Sequence, residues 1–278
     1  MIFRKFASFA AYSLFINCAF GQITTEAINF NNYVDINNND LKNNFRCYSD
    51  CMSQITTGGI TGGALDPPST TNSFFNYCSQ YKNKPGKSTE TSLSFKYNST
   101  LVNPNTSNTT AIIELSNISG AQAFVRWNHV INSMELNIYT RSWVYSNSNN
   151  SKITLNNLHW YNLKYTTNTI GGAFGDEIYA SASLFDLGLD GLSTPSLVKT
   201  ASGTFYDQYF VNDTSLTVSI SGSKQGGASL LDNFIFKGEK SLRTSCAIST
   251  LVKNEYLNNV LITFNPHLGL VNVDMNKN

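Results

Sequence analysis

Charge is scarce in this sequence. Lys, Arg, Asp and Glu together make up 13% of the 278 residues, about half the ~25% usual in a globular domain. Net charge is only +1. So neutral a chain offers no field to draw in nucleic acid or an anionic lipid surface, and neither is expected as a partner. No stretch beyond the N-terminal segment approaches the roughly 20 apolar residues that a membrane-spanning helix needs. Histidine occurs three times, at His129, His159 and His267, with no Gly-x-Ser-x-Gly elbow to accompany it. No Glu-x-Asp-x-Glu strand motif is present. Gly58-Gly59 and Gly62-Gly63 are not followed by Lys-Ser or Lys-Thr at Walker spacing, so they read as bends between short strands. Amphipathic helical periodicity, internal repeats and low-complexity tails are also missing.

What is present begins with an export signal over residues 1–21. Arg4 and Lys5 form the charged start, Phe6 to Ile16 the apolar middle, and Ala19-Phe20-Gly21 the small-x-small cleavage site before Gln22. Cys18 is not read as a lipid anchor, because Phe15-Ile16-Asn17 departs from the Leu-small-small that precedes such a cysteine. The mature chain, rich in Asn, Ser, Thr and Gly, is therefore expected outside the cell. Cys47, Cys51, Cys78 and Cys246 survive cleavage. An even count in an exported chain points to disulfides; of the three connectivities that four cysteines allow, the expectation is that Cys78 takes one of Cys47 or Cys51 and Cys246 takes the other. Zinc is not expected, since no second close Cys or Cys/His pair completes a tetrahedral site.

From Thr91 onward apolar residues fall at every second position: Leu93, Phe95 and Tyr97; Ile112 or Ile113 with Leu115; Ala123, Val125 and Trp127; Met134, Leu136 and Ile138; Ile153 and Leu155; Leu163 and Tyr165; then Ile178 to Leu187 and Thr204 to Phe210. Period two is the signature of a strand with one buried face. Runs of five to nine residues, separated by Asn, Ser, Gly and Pro, predict an all-β antiparallel sandwich with at most one or two short helices. Leu216 to Ile220 and Leu230 to Phe236, joined by the glycine-rich Ser221 to Gly227, read as a hairpin. Ser241 to Asn258 could hold a short helix. Val260 to Phe264 and Val271 to Val273 read as two more strands. Residues 22–237 are taken as the sandwich with a disulfide-tied N-terminal region, and residues 238–278 as an extension packed on it or continuing it.

Leu231 to Phe236, LDNFIF, resembles the closing strand of extracellular jelly-roll sandwiches of the laminin-G-like or concanavalin-like, MAM-like and galactose-binding-like groups. In those groups an Asp-Asn or Asp-Asp step precedes an apolar strand that pairs with one near the N-terminus. The resemblance implies a jelly-roll architecture and that same pairing here.

Recognition of a glycan would use aromatic faces beside amides. Trp143, Tyr145, Trp160 and Tyr161 stand near Asn147, Asn156, Asn157 and Asn162, and are the candidate ligand-binding residues, with a place in the core as the competing reading. A structural calcium would draw on Asp186 and Asp190, with Asp176 and Asp207 nearby; no other cofactor is expected. Six sequons mark Asn98, Asn105, Asn108, Asn117, Asn149 and Asn212 as glycosylation candidates. Asp176 and Glu177 are adjacent, so a strand sends them to opposite faces, whereas a retaining hydrolase needs two carboxyl groups about 5 Å apart. These residues favour an exported, non-enzymatic recognition or adhesion protein that binds carbohydrate or an extracellular protein. A structural matrix glycoprotein and a glycan-active hydrolase or lyase are the alternatives. Intact-mass analysis of the exported protein should show a chain that starts at Gln22; retention of residues 1–21 would overturn the signal assignment.

Overall fold

Strands form where apolar residues alternate, because each then buries one face and leaves the other to the polar half of the pattern. A computed structural model describes residues 23–69, 73–81, 88–103, 111–118, 121–128, 130–140, 152–170, 176–207, 216–243, 255–257, 260–265 and 270–275. Within it run β1 (Ile23–Ile28), α1 (Asp40–Asn44), β2 (Phe45–Ser49), β3 (Ser53–Ile55), β4 (Ala64–Asp66), β5 (Ser73–Tyr81), β6 (Ser88–Tyr97) and β7 (Ala111–Ile118). There follow β8 (Ala121–Asn128), β9 (Ser133–Thr140), β10 (Lys152–Ile153), β11 (Trp160–Ile170), β12 (Asp176–Gly188), β13 (Ser196–Asp207), β14 (Leu216–Gly222) and β15 (Ala228–Arg243). The last three are β16 (Glu255–Leu257), β17 (Val260–Asn265) and β18 (Leu270–Met275), which pair with one another as a three-stranded sheet. A single 3-10 turn, Ser99–Leu101, joins α1 as the helical content of the described residues.

The fold class is as the alternation predicts. One sheet, here the front, has the order β13-β12-β11-β6-β15, with β1 and the β3-β4 hairpin on the far side of β15. The back sheet has the order β10-β9-β8-β7-β14-β5, with β2 on the far side of β5. Every pairing is antiparallel. Leu93, Phe95, Leu163 and Leu184 from the front meet Leu115, Val125, Leu136 and Ile220 from the back in one apolar cluster. The two inner faces together make the core.

β15 joins the two sheets. Its first part pairs with β6 and β1, with Ile28 opposite Phe234 and Ala27 opposite Ile235. Its last residues, Lys240 to Arg243, pair with β5 of the back sheet. The N-terminal pairing that LDNFIF implied is thus present. At the crossover Phe234 sits 5.1 Å from the ring of Phe45 and 5.0 Å from that of Tyr77, and all three are buried.

Three expectations are corrected. β14 and β15 are not a hairpin: β14 lies between β7 and β5 in the back sheet, so the turn after it carries the chain across the core to the front. Gly227, at φ +108 with Tyr97 and Val102 against it, makes that passage possible. A helix over Ser241 to Asn258 is replaced at both described ends by strand, since the register of β15 with β5 continues the ladder through Arg243. Cys47 bonds to Cys51, their Cα atoms 5.7 Å apart, and not to Cys78 or Cys246. Asp50, at φ +41, reverses the chain between them and turns Cys51 back towards β2. Cys78 is disulfide-bonded as well, while Cys246 and the signal lie outside the described residues.

Phe234→Ala should lower the free energy of unfolding in urea by about 3–5 kcal/mol, the usual cost of removing a buried aromatic ring. A loss under about 1 kcal/mol would show that the crossover cluster is not essential. Because Arg243 ends opposite Ser79, non-reducing peptide mapping should find Cys47–Cys51 and Cys78–Cys246. A bond from Cys78 to Cys47 or Cys51 would contradict the pairing.

Candidate functional site

Register across the front sheet puts its outward side chains in rows. One row runs Ser94, Asn162, Phe185 and Leu197 through β6, β11, β12 and β13. The next runs Ala27, Ile235, Ser92 and Lys164 through β1, β15, β6 and β11. Ser94, Asn162 and Phe185 of the first row and all four residues of the second line an open cleft of about 590 Å³, to which Asn29, Asn233 and Pro195 also contribute. Asn162 Nδ2 donates to Ser94 Oγ at 3.1 Å, which fixes the amide. Lys164 Nζ is paired with Glu90 at 2.8 Å, so the floor carries little net charge. Phe185 is half-buried and gives the cleft an apolar wall.

The wall on the β15 side depends on the Asp-Asn step. Between Asp232 and Ile235 the pairing with β6 slips, and Asn233 takes the left-handed conformation at φ +50. That bulge lets Phe234 enter the core while Asn233 lines the cleft. Asp232 is fully buried and holds the glycine-rich loop between β3 and β4: its Oδ2 accepts from Ile60 N–H at 2.7 Å, and its Oδ1 from Asn233 N–H at 2.7 Å. Gly59 and Gly63 must be glycine here, since a Cβ on Gly59 would strike the Gly63 carbonyl and one on Gly63 the Phe30 carbonyl. Burial pushes the Asp232 carboxyl up to about 6, against the N–H groups of Asn233, Ile60 and Thr61, which favour its charged form.

Of the predicted ligand aromatics, Trp143 and Tyr145 lie outside the described residues. Trp160 and Tyr161 are both placed, and neither offers an open ring. Trp160 shares the outward face of β11 with Asn162 but is 2% exposed, roofed by Gly191 and by the Lys96 ammonium 5.9 Å from its ring centroid. Tyr161 points between the sheets, fully buried and stacked on Phe95 at 5.6 Å, with its hydroxyl accepting from Asn156 N–H. No model of a protein family matches the chain, and no curated protein matches it. Solved structures similar to it include a lectin from Bauhinia forficata in complex with GalNAc, 9% identical over 80% of this chain and 100% of that one, at a TM-score of 0.39. They also include domain 4 of AbnA, a GH43 extracellular arabinanase from Geobacillus stearothermophilus, in complex with arabinotriose (10% identical, 79% and 84% covered, TM-score 0.37). A third is the carbohydrate recognition domain of Emp47p (10% identical, 78% and 95% covered, TM-score 0.37). The sandwich is read from its own strand pairing, and no ligand is carried over from these proteins.

The calcium candidates Asp186 and Asp190 each accept hydrogen bonds from the chain itself. Asp186 is taken up by Gly188 N–H at 2.8 Å, by His159 Nδ1 at 2.9 Å and by Asn156 Nδ2 at 3.3 Å. Burial alone would raise its carboxyl, but these donors together hold it below the usual carboxylate range. Asp190 Oδ1 accepts from Leu192 N–H at 2.9 Å. Among the described residues no three His, Cys, Asp or Glu side chains come together to hold a metal ion. Of the sequon residues, Asn98 caps the 3-10 turn, its Oδ1 accepting from Thr100 N–H and Oγ–H at 3.0 and 2.8 Å. Asn117 falls in β7, its side chain outside the described residues; Asn105, Asn108, Asn149 and Asn212 lie outside them entirely.

Ser92, Ser94, Phe185 and Asn233 were not singled out by their sequence, although the parity of SLSFKYN already put Ser92 and Ser94 on the face opposite Leu93 and Phe95. Removing the buried carboxylate tests this frame. A group whose folded pKa is raised contributes stability that is fully present below the unfolded value of 3.8 and is lost as pH rises through about 6. The stability difference between wild type and Asp232→Asn should therefore shift by about 2 kcal/mol from pH 4 to pH 7, with wild type gaining towards acid. A difference independent of pH would contradict the burial of an ionisable Asp232.

Proposed function

We propose that the protein is an exported, non-enzymatic recognition protein that binds a neutral carbohydrate in the cleft over the front sheet. The carrying observation is the row of Ser94, Asn162 and Phe185: a hydroxyl, a positioned amide and an aromatic wall side by side on one sheet face. A sugar has an apolar face that packs on a ring and hydroxyls that need both donors and acceptors. Asn162 and Phe185 supply an amide and a ring, with the buried Ser94 hydroxyl holding the amide in place. Asn29 and Asn233 add amides at the rim, and about 590 Å³ is room for a small ligand.

Binding is favoured over hydrolysis because the described lining holds amides, hydroxyls and Lys164 but no carboxylate pair. Export is supported by the N-terminal signal pattern and by the Cys47–Cys51 disulfide, which is the bond expected in an oxidising compartment.

The mature protein should bind at least one neutral glycan on an array, and calorimetry with that glycan should show Phe185→Ala and Asn162→Ala each weakened about tenfold, equivalent to about 1.4 kcal/mol. Both side chains are on the outward face, so the far-ultraviolet spectrum should not change. Silence across neutral glycans would overturn the recognition role and leave the matrix reading. Release of reducing sugar would replace it with the hydrolase reading.

A further inference from the structure

A second cavity lies between α1, β2 and β5, and it differs in chemistry from the cleft. Its volume is about 420 Å³. Leu41, Phe45, Met52 and Phe75 give it an apolar floor, and the Cys47–Cys51 bridge forms one side. Lys42 and Arg46 stand at its mouth, both exposed. Among the described residues neither has a carboxylate partner, whereas Arg126, Lys164 and Lys224 are each paired with one. Asp40, the acid nearest Lys42 in sequence, accepts from Asn32 N–H at 2.8 Å. In a chain of net charge +1, two unopposed cations at one cavity are a local excess that an anion would neutralise.

The walls are held in place before any ligand arrives. Gln54, buried, accepts from Leu41 N–H at 2.9 Å and donates to the Phe30 carbonyl at 2.7 Å, which ties α1 to the chain after β1. The disulfide fixes Met52 against β2, and Phe75 is paired with Cys47 across the β2–β5 ladder. Such fixed walls reduce the ordering cost of binding. An arginine fork matches the two oxygens of a carboxylate, and a lysine adds a point charge beside it. The floor matches hydrocarbon, not a hydroxylated ring.

We infer that this cavity is a second binding site, independent of the carbohydrate cleft, for a small amphiphilic carboxylate whose acid group meets Arg46 and Lys42 and whose apolar body lies on Phe45, Met52 and Phe75. Titration of the mature, disulfide-intact protein with sodium octanoate, 1-octanol and sodium acetate tests it. Octanoate should bind at least tenfold more tightly than octanol, which lacks the charge, and than acetate, which lacks the chain. The Lys42→Gln/Arg46→Gln double variant should bind octanoate at least tenfold more weakly than wild type, with an unchanged far-ultraviolet spectrum and with the affinity of the cleft variants Phe185→Ala and Asn162→Ala for octanoate equal to wild type. Arg46→Lys, which keeps the charge and loses the fork, should fall between. No octanoate binding to wild type, or equal binding to wild type and the double variant, would overturn the proposal.

Discussion

A single strand has to satisfy two sheets at once. β15 runs for 16 residues, pairs with β6 and β1 in the front sheet and ends against β5 in the back. It can do so only if its side chains change from one packing surface to another along its length, and the place where they change is filled by rings. Phe234 and Phe236 pack with Phe45 and Tyr77, contributed by β2 and β5. Burying several aromatic groups at a corner replaces the ladder contacts that a strand loses as it leaves a sheet. The N-terminal strand, the glycine-rich loop and the order of both sheets all follow from that path.

The same strand shapes the cleft over the front sheet. Its bulge after Asp232 directs Asn233 outward over the cleft and Phe234 inward to the rings. Asp232 is fully buried and is supported by backbone N–H groups from its neighbour and from the loop between β3 and β4. A buried carboxylate is a cost to stability unless such donors meet it. Here the donors belong to the loop whose closely packed glycines bring it near, so the core, the loop and the cleft wall are coupled through one side chain. The β2–α1 region is coupled differently, through a disulfide and a buried glutamine, and encloses a cavity of opposite character.

Much of the architecture was legible in the spacing of apolar residues. Leu93, Phe95 and Tyr97 face the core as their parity requires, and so do Leu136 and Ile138. The Asp-Asn step of LDNFIF pointed to the pairing with the N-terminal strand, which is there. Parity also allotted Ser92, Ser94 and Asn162 to an outward face without showing that three separate strands would align them. It could not tell Trp160 from Tyr161. One is on each face of β11, yet both are buried, because loops around Ile60 and Gly191 close over the outward ring. Nor could it see that β14 and β15, joined by a turn rich in glycine, belong to different sheets; a short connection says that two strands are near, not that they are hydrogen-bonded.

The sequence by itself determined that this is a layered β protein, because period-two burial is a local property that each segment carries alone. Which strands are neighbours, which cysteine meets Cys47, and which outward residues share a cleft were decided only by the tertiary structure. Those are properties of pairs distant in the chain, set by register and by the competition of all the strands for two buried faces, and no single segment contains them.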